Sequence, residues 1–528
     1  MAVPALWTRR RLLQLSGLAC LGVAQAGAAL AVAAAGSRLL TQVEDAPSQH
    51  WLTGTVIAAA MVLIVVRVAQ RRFAEAFALG YVTELRVALM SHVIRIPADS
   101  RPPRTGLVMT RVVNDLSAIK LWLASGLVAI VVAVAALSAV TATLIIFEPG
   151  IAIVLAFAFA LWAVPVVLCL RPLRRRIRES RRQRGRIAAR AGGILAARLT
   201  LLGFGRHGST VRGLKKKSDH LNAALVARAT LSGLLRSSGD LVFPAVVLFA
   251  AGGRLIFETE AFSAVSLGVL VVMAALAATH LSAVALGLEY RLAYRIALDR
   301  IEAVLRLPAI DPDAGQRLQK REAGRAIEAR GLRLEPGDRQ VDFSAVAGEA
   351  VALSGLTEDQ ATDLVMKLGG LKRVGAGCVF LDGCDAVDIR ARNWWREVTI
   401  VSPHLRLIKA SVAVNARLGA RSGDDEELKR VLARFGLPPG HEAMAIGEDG
   451  ECVGAPVTAI RAARAVMRQS GLVLIADREL VADEVLSDAF FGELHASGAT
   501  IVVAAPLPAG LSRRFRIIDF DASQRRVA

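Results

Sequence analysis

The sequence predicts an all-α membrane domain of six helices with long cytoplasmic extensions, followed by an α/β domain. Three observations predict it. Six apolar stretches are long enough to cross a bilayer, the connections between them alternate short and acidic with long and basic, and after Leu305 the pattern changes to alternating strands and helices. The balance of residues agrees: 54% are hydrophobic and only 21% charged, an apolar excess beyond what a soluble core absorbs.

A hydrocarbon core about 30 Å thick needs roughly 20 apolar residues per helix. The segments 12–36, 52–70, 121–146, 151–170, 239–256 and 264–288 meet that need, the second closing at Arg67. The short connections 37–51, 147–150 and 257–263 carry Glu44, Asp45, Glu148, Glu258 and Glu260 against a single Arg38. The long ones, 71–120 and 171–238, are basic: from Arg171 to Lys217 there are sixteen Lys/Arg and one acid, Glu179. Lys/Arg excess marks the cytoplasmic side. Both termini are therefore expected in the cytoplasm of a cell whose inner membrane holds the chain. Residues 171–200 contain few helix breakers, which predicts helices running tens of ångströms beyond the bilayer.

The net charge of +19 is compatible with nucleic acid or with an anionic leaflet. Aromatics suited to base stacking are scarce, at 5%, and the basic residues flank apolar segments, so a lipid surface is expected and nucleic acid is not. Cys20, Cys169, Cys378, Cys384 and Cys452 form no CxxC pair, and the eight histidines show no HExxH spacing, so neither a disulfide framework nor a metal site is expected. Arg9-Arg10-Arg11 ahead of an apolar run resembles a secretory signal, but the run from Leu12 to Gly36 is too long for one, and Gly17 stands where a lipoprotein signal ending at Cys20 wants a large aliphatic residue. A retained first membrane helix is expected. His280, inside the sixth apolar segment with Glu289 near its end, is the candidate for the substrate pathway, because ionisable groups at membrane depth are functional by default. A histidine bonded to a neighbouring helix is the plainer alternative.

These boundaries give a membrane domain over 1–305, a linker over 306–327 and an α/β domain over 328–528. Strands are expected at Ala350–Leu353, Cys378–Leu381, Val398–Val401, Leu472–Ile475 and Thr500–Ala505, and helices at Thr362–Lys372, Asp424–Phe435 and Ala459–Gln469. Trp394-Trp395 either mark a docking surface or pack inside this domain.

Order and spacing of short motifs give the chain a family likeness. Leu85-Arg86, His92-Val93-Ile94-Arg95-Ile96-Pro97, Arg104-Thr105-Gly106, Arg111-Val112-Val113-Asn114-Asp115, Gly203-Phe204-Gly205, Tyr290, Ala293, Arg300-Ile301 and Phe380-Leu381-Asp382-Gly383 together resemble the half-transporters of the ABC exporter family. The resemblance covers nearly the whole chain. It implies that the second domain is a P-loop-type ABC nucleotide-binding domain.

A phosphate loop needs glycines so that backbone N–H groups converge on phosphate, a lysine for the β/γ oxygens and a Ser/Thr for Mg²⁺. The matching stretch runs from Gly355 to Thr362 and keeps only those two residues. Glu358 and Gln360 replace glycines, Ala361 replaces the lysine, and Glu358 and Asp359 place carboxylates where phosphates would approach. Unit charges about 4–6 Å apart repel by roughly 3–4 kcal/mol at an effective dielectric near 20.

By the same resemblance, the adenine-stacking aromatic falls at Glu335, the metal-sensing glutamine at Pro403, the signature at Cys452-Val453-Gly454-Ala455-Pro456 and the switch histidine at Pro506. After the Walker B strand Leu472–Ile475, one register puts Ala476 at the metal-binding aspartate and Asp477 at the catalytic glutamate. A one-residue shift makes Asp477 the metal ligand and Arg478 the base. Either way one essential carboxylate is missing.

The resemblance therefore implies a vestigial nucleotide site at Gly355, Thr362 and Asp477, with no catalytic residue and no metal site. ATP and Mg²⁺ are expected only weakly or through a partner subunit. The expected role is the membrane subunit of an exporter, half of a translocation path, paired with a more competent half-transporter. A homodimer is the alternative pairing, and a membrane scaffold or regulator without transport is the alternative function.

Overall fold

The computed structural model describes residues 3–41, 46–100, 114–147, 149–248, 264–319, 324–337, 339–420, 424–447, 450, 452 and 455–520. The acids of the short connections, the whole stretch from Arg104 to Val113, and Val453-Gly454 of the signature lie outside these residues. The chain divides into two compact units, residues 1–93 with 103–306 and residues 94–102 with 307–528.

The first unit contains α1 (Arg9–Thr41), α2 (Ala46–Ile94), α3 (Leu116–Leu121), α4 (Val128–Phe147), α5 (Pro149–Ala196), α6 (Arg198–Gly203), α7 (His207–Ser237) and α8 (Ala264–Leu305). A π-helical turn, Trp122–Leu127, joins α3 to α4, and a 3-10 turn, Ser238–Leu241, carries α7 into further helix ending at Leu248. Among the described residues six helical spans are long and apolar enough to cross a membrane, by length and composition. At 1.5 Å per residue, the 49 residues of α2 and the 48 of α5 extend about 70 Å, more than twice the bilayer core. Polar extensions follow directly from those lengths. The fifth span differs from the expected 239–256: it begins far earlier, at His207, because the helix of the basic stretch runs into the apolar stretch with only the 3-10 turn between them.

Small residues let the helices meet backbone to backbone. A Cβ on Gly287 of α8 would stand 2.9 Å from the Gly126 carbonyl oxygen, and one on Gly239 would stand 2.8 Å from the Ser282 nitrogen and 2.9 Å from the Ala278 oxygen. Buried charges clamp the extensions. Glu289 of α8, 2% exposed, accepts from Ser232 at 2.5 Å and Arg228 at 2.8 Å, with Arg236 at 3.4 Å, all three on α7. Arg181 of α5 pairs with buried Asp115 at 3.1 Å. Glu289 is thus a structural clamp. Near the first helix, buried Arg11 donates to Glu84 at 2.6 Å and lies over the Tyr81 ring.

In the second unit, β3 (Ala350–Ser354), β6 (Val398–Val401), β7 (Leu472–Ile475), β8 (Thr500–Val503) and β9 (Arg516–Asp519) form a parallel sheet in the order β6-β7-β8-β3-β9. An antiparallel sheet, β2-β1-β4-β5, packs β1 (Ile327–Leu334), β2 (Arg339–Ala345), β4 (Val379–Leu381) and β5 (Cys384–Asp385). Side chains of successive strand residues point to opposite faces. Val473, Ile475, Ile501 and Val503 enter one core while Leu472, Leu474 and Val502 enter the other, so the parallel sheet is buried on both sides. The segment 94–102 belongs to this unit, held by Ala98 N–H to the Leu371 carbonyl (2.8 Å) and by Arg373 with Asp99 (3.1 Å). Trp394 is buried and donates to the Leu368 carbonyl at 3.0 Å, while half-buried Trp395 donates to Gly370 at 3.4 Å, so the pair packs inside the domain.

These crossings give a contrasting pair of substitutions. Gly213 has open space around it, so Gly213→Ala should leave thermal stability unchanged or raise it by about 0.5–1 kcal/mol through helix propensity. Gly239→Ala should lower it by about 1–3 kcal/mol, because the new methyl meets backbone. Paired thermal melts of the purified protein check the sign of each.

Candidate functional site

In open parallel sheets ligands sit beyond the carboxyl ends of the strands. Here the ends of β3 and β7 lead into the two segments that the motifs single out, and they meet: Arg478 after β7 stands 3.7 Å from Glu358 after β3. Gly355 adopts φ +77°, a left-handed conformation that explains why glycine is kept there.

The helix after β3 starts at Glu358, four residues earlier than the expected Thr362, and ends at Leu368. The reason is a capping box. Thr357 Oγ1 accepts from the Gln360 N–H at 3.3 Å and Gln360 Oε1 accepts from the Thr357 N–H at 3.2 Å, so two of the donors at the helix start are met from within the turn. Glu358 and Asp359 add negative charge at the positive end of the helix. The Gln360 amide also donates to the Pro336 carbonyl at 3.1 Å, and Arg339 donates to the Gly355 carbonyl at 2.5 Å. Residues 358–361 thus form a helical turn where a phosphate loop would be open. Ala361 is buried in the core, and Thr362 is half-buried one residue further on.

Beside them Asp363, 2% exposed, accepts from the Glu335 N–H at 2.8 Å and pairs with Lys367 at 2.9 Å and with Lys372. Burial alone would raise its pKa, but hydrogen bonds from the two lysines outweigh burial and hold the carboxyl below the usual range. The position matched to the adenine-stacking aromatic, Glu335, therefore serves this anchor through its backbone.

Asp477 is fully buried and caps the helix Arg478–Ala482, accepting from the Leu480 N–H at 3.2 Å. Arg461, 5% exposed on the helix Val457–Arg468, places its Nε 3.1 Å from Asp477 Oδ2, off the hydrogen-bonding direction, so charge alone joins them there. Burial pushes the Asp477 carboxyl above its ordinary value, and Arg461 opposes that shift. Nothing in the motif pointed to Arg461. The signal was its place on the inward face of an amphipathic helix. Pro456 caps that helix without a side-chain hydrogen bond and supplies no N–H of its own. The structure brings Gly355, Thr362 and the Asp477 segment to one edge of the sheet. His280 belongs to the other unit, where it is 6% exposed and its Nε2 has no hydrogen-bond partner among the described residues. No group of three or more His, Cys, Asp or Glu among those residues is arranged to hold a metal.

A family profile described as the ABC transporter transmembrane region matches residues 20–284, half of the chain. The chain belongs to the ABC transporter family. Its fold is similar to a bacterial Atm1-family ABC exporter with ATP bound, at a TM-score of 0.79, 17% identity, and coverage of 98% of this chain and 96% of that one. Among curated relatives it is 28% identical over 214 residues to an ATP-dependent lipid A-core flippase of Pseudomonas aeruginosa, covering 37% of this chain and 35% of the flippase. It is 31% identical over 94 residues to a β-(1→2)glucan export ATP-binding/permease protein of Rhizobium johnstonii, covering 18% and 16%. The aligned parts span well under two thirds of those relatives' lengths. As an ABC transporter with six spans, the chain is a multi-pass membrane protein.

The Asp363 anchor sets a stability expectation. Asp363→Ala leaves Lys372 and the Glu335 N–H without this acceptor and Lys367 with the Arg333 carbonyl alone, and should cost about 3–5 kcal/mol. Because the folded pKa is depressed, the stabilisation is present above the ordinary aspartate range and is lost as pH falls through the folded value. Denaturant melts of wild type and variant from pH 7 to pH 3 should converge at the acid end.

Proposed function

We propose that this chain is the membrane subunit of an ABC-type exporter, in an inner membrane with both termini and the α/β domain cytoplasmic, that hydrolyses no ATP of its own. It forms half of a translocation path and pairs with a more competent half-transporter. The observation that carries the reading is the self-capped turn Thr357–Gln360. A triphosphate needs free backbone donors and a cation. Here the Gln360 N–H is taken by Thr357, the lysine position is a buried alanine, and Glu358 stands exposed at the entrance. The residues present do not fit Mg-ATP.

Asp477 supports the same reading from the other strand. A general base must reach its water, and a metal ligand must be open to its ion. This carboxylate is sealed at zero exposure, faces Arg461, and caps a helix. By the family resemblance each ATP lies between one subunit's phosphate loop and the other's signature, so a pair of these chains would lack both halves twice. A partner with its own intact loop supplies one half of a site. The relatives' names include lipid A-core and glucan as cargo, which supports outward movement of an amphiphile or glycan by the proposed complex.

The test is co-purification with a neighbouring gene's half-transporter, followed by ATPase assays in nanodiscs. The lone chain should show no saturable Mg-ATP binding below about 1 mM. The complex should hydrolyse ATP, with the rate abolished by replacing the partner's phosphate-loop lysine and changed less than twofold by Thr362→Ala in this chain. Hydrolysis by the lone chain at an ordinary exporter rate sinks the reading. Absence of any partner and of transport moves the assignment to a membrane scaffold.

A further inference from the structure

Beyond its apolar stretch, α5 carries its charge on one side. Arg171, Arg175, Arg178, Arg182, Arg186 and Arg190 are all exposed. Their steps of four, three, four, four and four residues keep them within about 120° of arc on a helix that turns about 100° per residue. The opposite side is packed: Leu173 and Ile177 are buried in one apolar cluster with Leu235 of α7 and Ile296 of α8. None of the six arginines forms an ion pair among the described residues, and the one acid of this stretch, Glu179, accepts from Gln183 at 2.6 Å. Like charges three and four residues apart repel along a helix, so the free stripe works against its own element.

From Arg171 to Arg190 the row runs about 28 Å along the helix axis. The apolar stretch ends at Leu170, so Arg182, Arg186 and Arg190 stand about 18–30 Å past it, against a head-group layer about 5–8 Å deep and a Debye length of about 8 Å. The leaflet therefore meets only the first members of the row. A nucleic acid duplex fits poorly, because a straight row of about 28 Å nears a full duplex turn and would meet phosphate only where a winding strand crosses it. No aromatic residue lies between Trp162 and Phe204 to stack an unpaired base. A second copy of this chain fits no better: among the described residues no helix carries more than three acids. The occupant that matches is a rod with the same repeat, an α-helix whose carboxylates recur every three or four residues.

We propose that this arginine stripe is the docking surface for an acidic helix of the partner half-transporter. The inference rests on the exporter reading above and gives the partner a chemistry, a helix of about 20 residues with Asp or Glu along one face. A single exposed ion pair contributes little, so the row acts by number. Each guanidinium can grip a carboxylate through two N–H donors, which sets the register of the two helices as well as their affinity. Docking of this kind relieves the repulsion within α5. It also selects an unlike partner through the membrane unit alone, without reference to the nucleotide edge.

The test is fluorescence anisotropy of a labelled peptide titrated with the full chain in phosphatidylcholine nanodiscs, at about 0.15 M salt. The peptide is an alanine-based helix of about 20 residues whose glutamates follow the spacing of the six arginines. A scrambled peptide of the same composition and a short DNA duplex are the competitors. The matched peptide should bind at least tenfold more tightly than either. Arg182→Gln together with Arg186→Gln should weaken it about tenfold, the loss of two exposed pairs. Arg176→Gln together with Arg184→Gln, exposed on the same helix but off the stripe, should change it less than threefold. All four side chains are exposed, so both double variants should keep the thermal melt of the wild type. Equal binding of the scrambled peptide, tighter binding of the duplex, no saturable binding of the matched peptide below about 1 mM, or equal losses in the two double variants overturns the proposal. Binding is read without nucleotide, partner or transport, so failure of the exporter reading would show separately, as a chain that binds the peptide and co-purifies with no half-transporter.

Discussion

The first turn of a helix presents backbone N–H groups with no partner inside the helix, and some acceptor must meet them. In the soluble unit that acceptor is the chain itself. Thr357 and Gln360 bond reciprocally, and Gln360 reaches on to Pro336. A helix N-terminus that meets phosphate must leave those donors open, at a cost in the free protein. Here the capping box closes two of those donors, and the two acids Glu358 and Asp359 favour the helix dipole. The rest of the edge is built on that choice: Asp363, one turn further on, holds the segment at Glu335, and Arg478 closes over Glu358.

The same substitution of internal for external partners recurs after β7. Asp477, matched by the family resemblance to a carboxylate for metal or water, faces a buried arginine and a helix N-terminus. Buried ion pairs add little net stability compared with apolar packing, but breaking one is costly because a charge is stranded. Arg461 and Asp477 are in this sense locked together: neither is easily lost alone. That mutual dependence offers a physical reason for this part of the fold to persist whether or not the domain turns over nucleotide.

Much of this was legible in the sequence. The membrane spans followed from segment length, and the parallel strands from short apolar runs, because each depends on one property read locally. The early start of the helix was legible too, since Thr357-Glu358-Asp359-Gln360 is a capping box in plain text, but expectation of a phosphate loop obscured it. Strands β1 and β2 were hidden because Gly331, the bulge around it and the frequent charges interrupt their alternation. The inward place of Arg461 was legible on its amphipathic helix, but its pairing with Asp477 was not: sixteen positions and the strand β7 separate them, and only the packing of the helix Val457–Arg468 brings them together.

A subunit without a working nucleotide site still matters energetically to a transport cycle. A ligand shifts a conformational equilibrium only by its differential affinity for the two states. In the proposed pair the partner's nucleotide supplies one such difference, and cargo bound among the membrane helices supplies another. Linkage then requires that nucleotide binding change amphiphile affinity by the same factor that amphiphile changes nucleotide affinity. Cargo binding would thus be coupled to nucleotide binding in the proposed pair, whichever half holds the nucleotide.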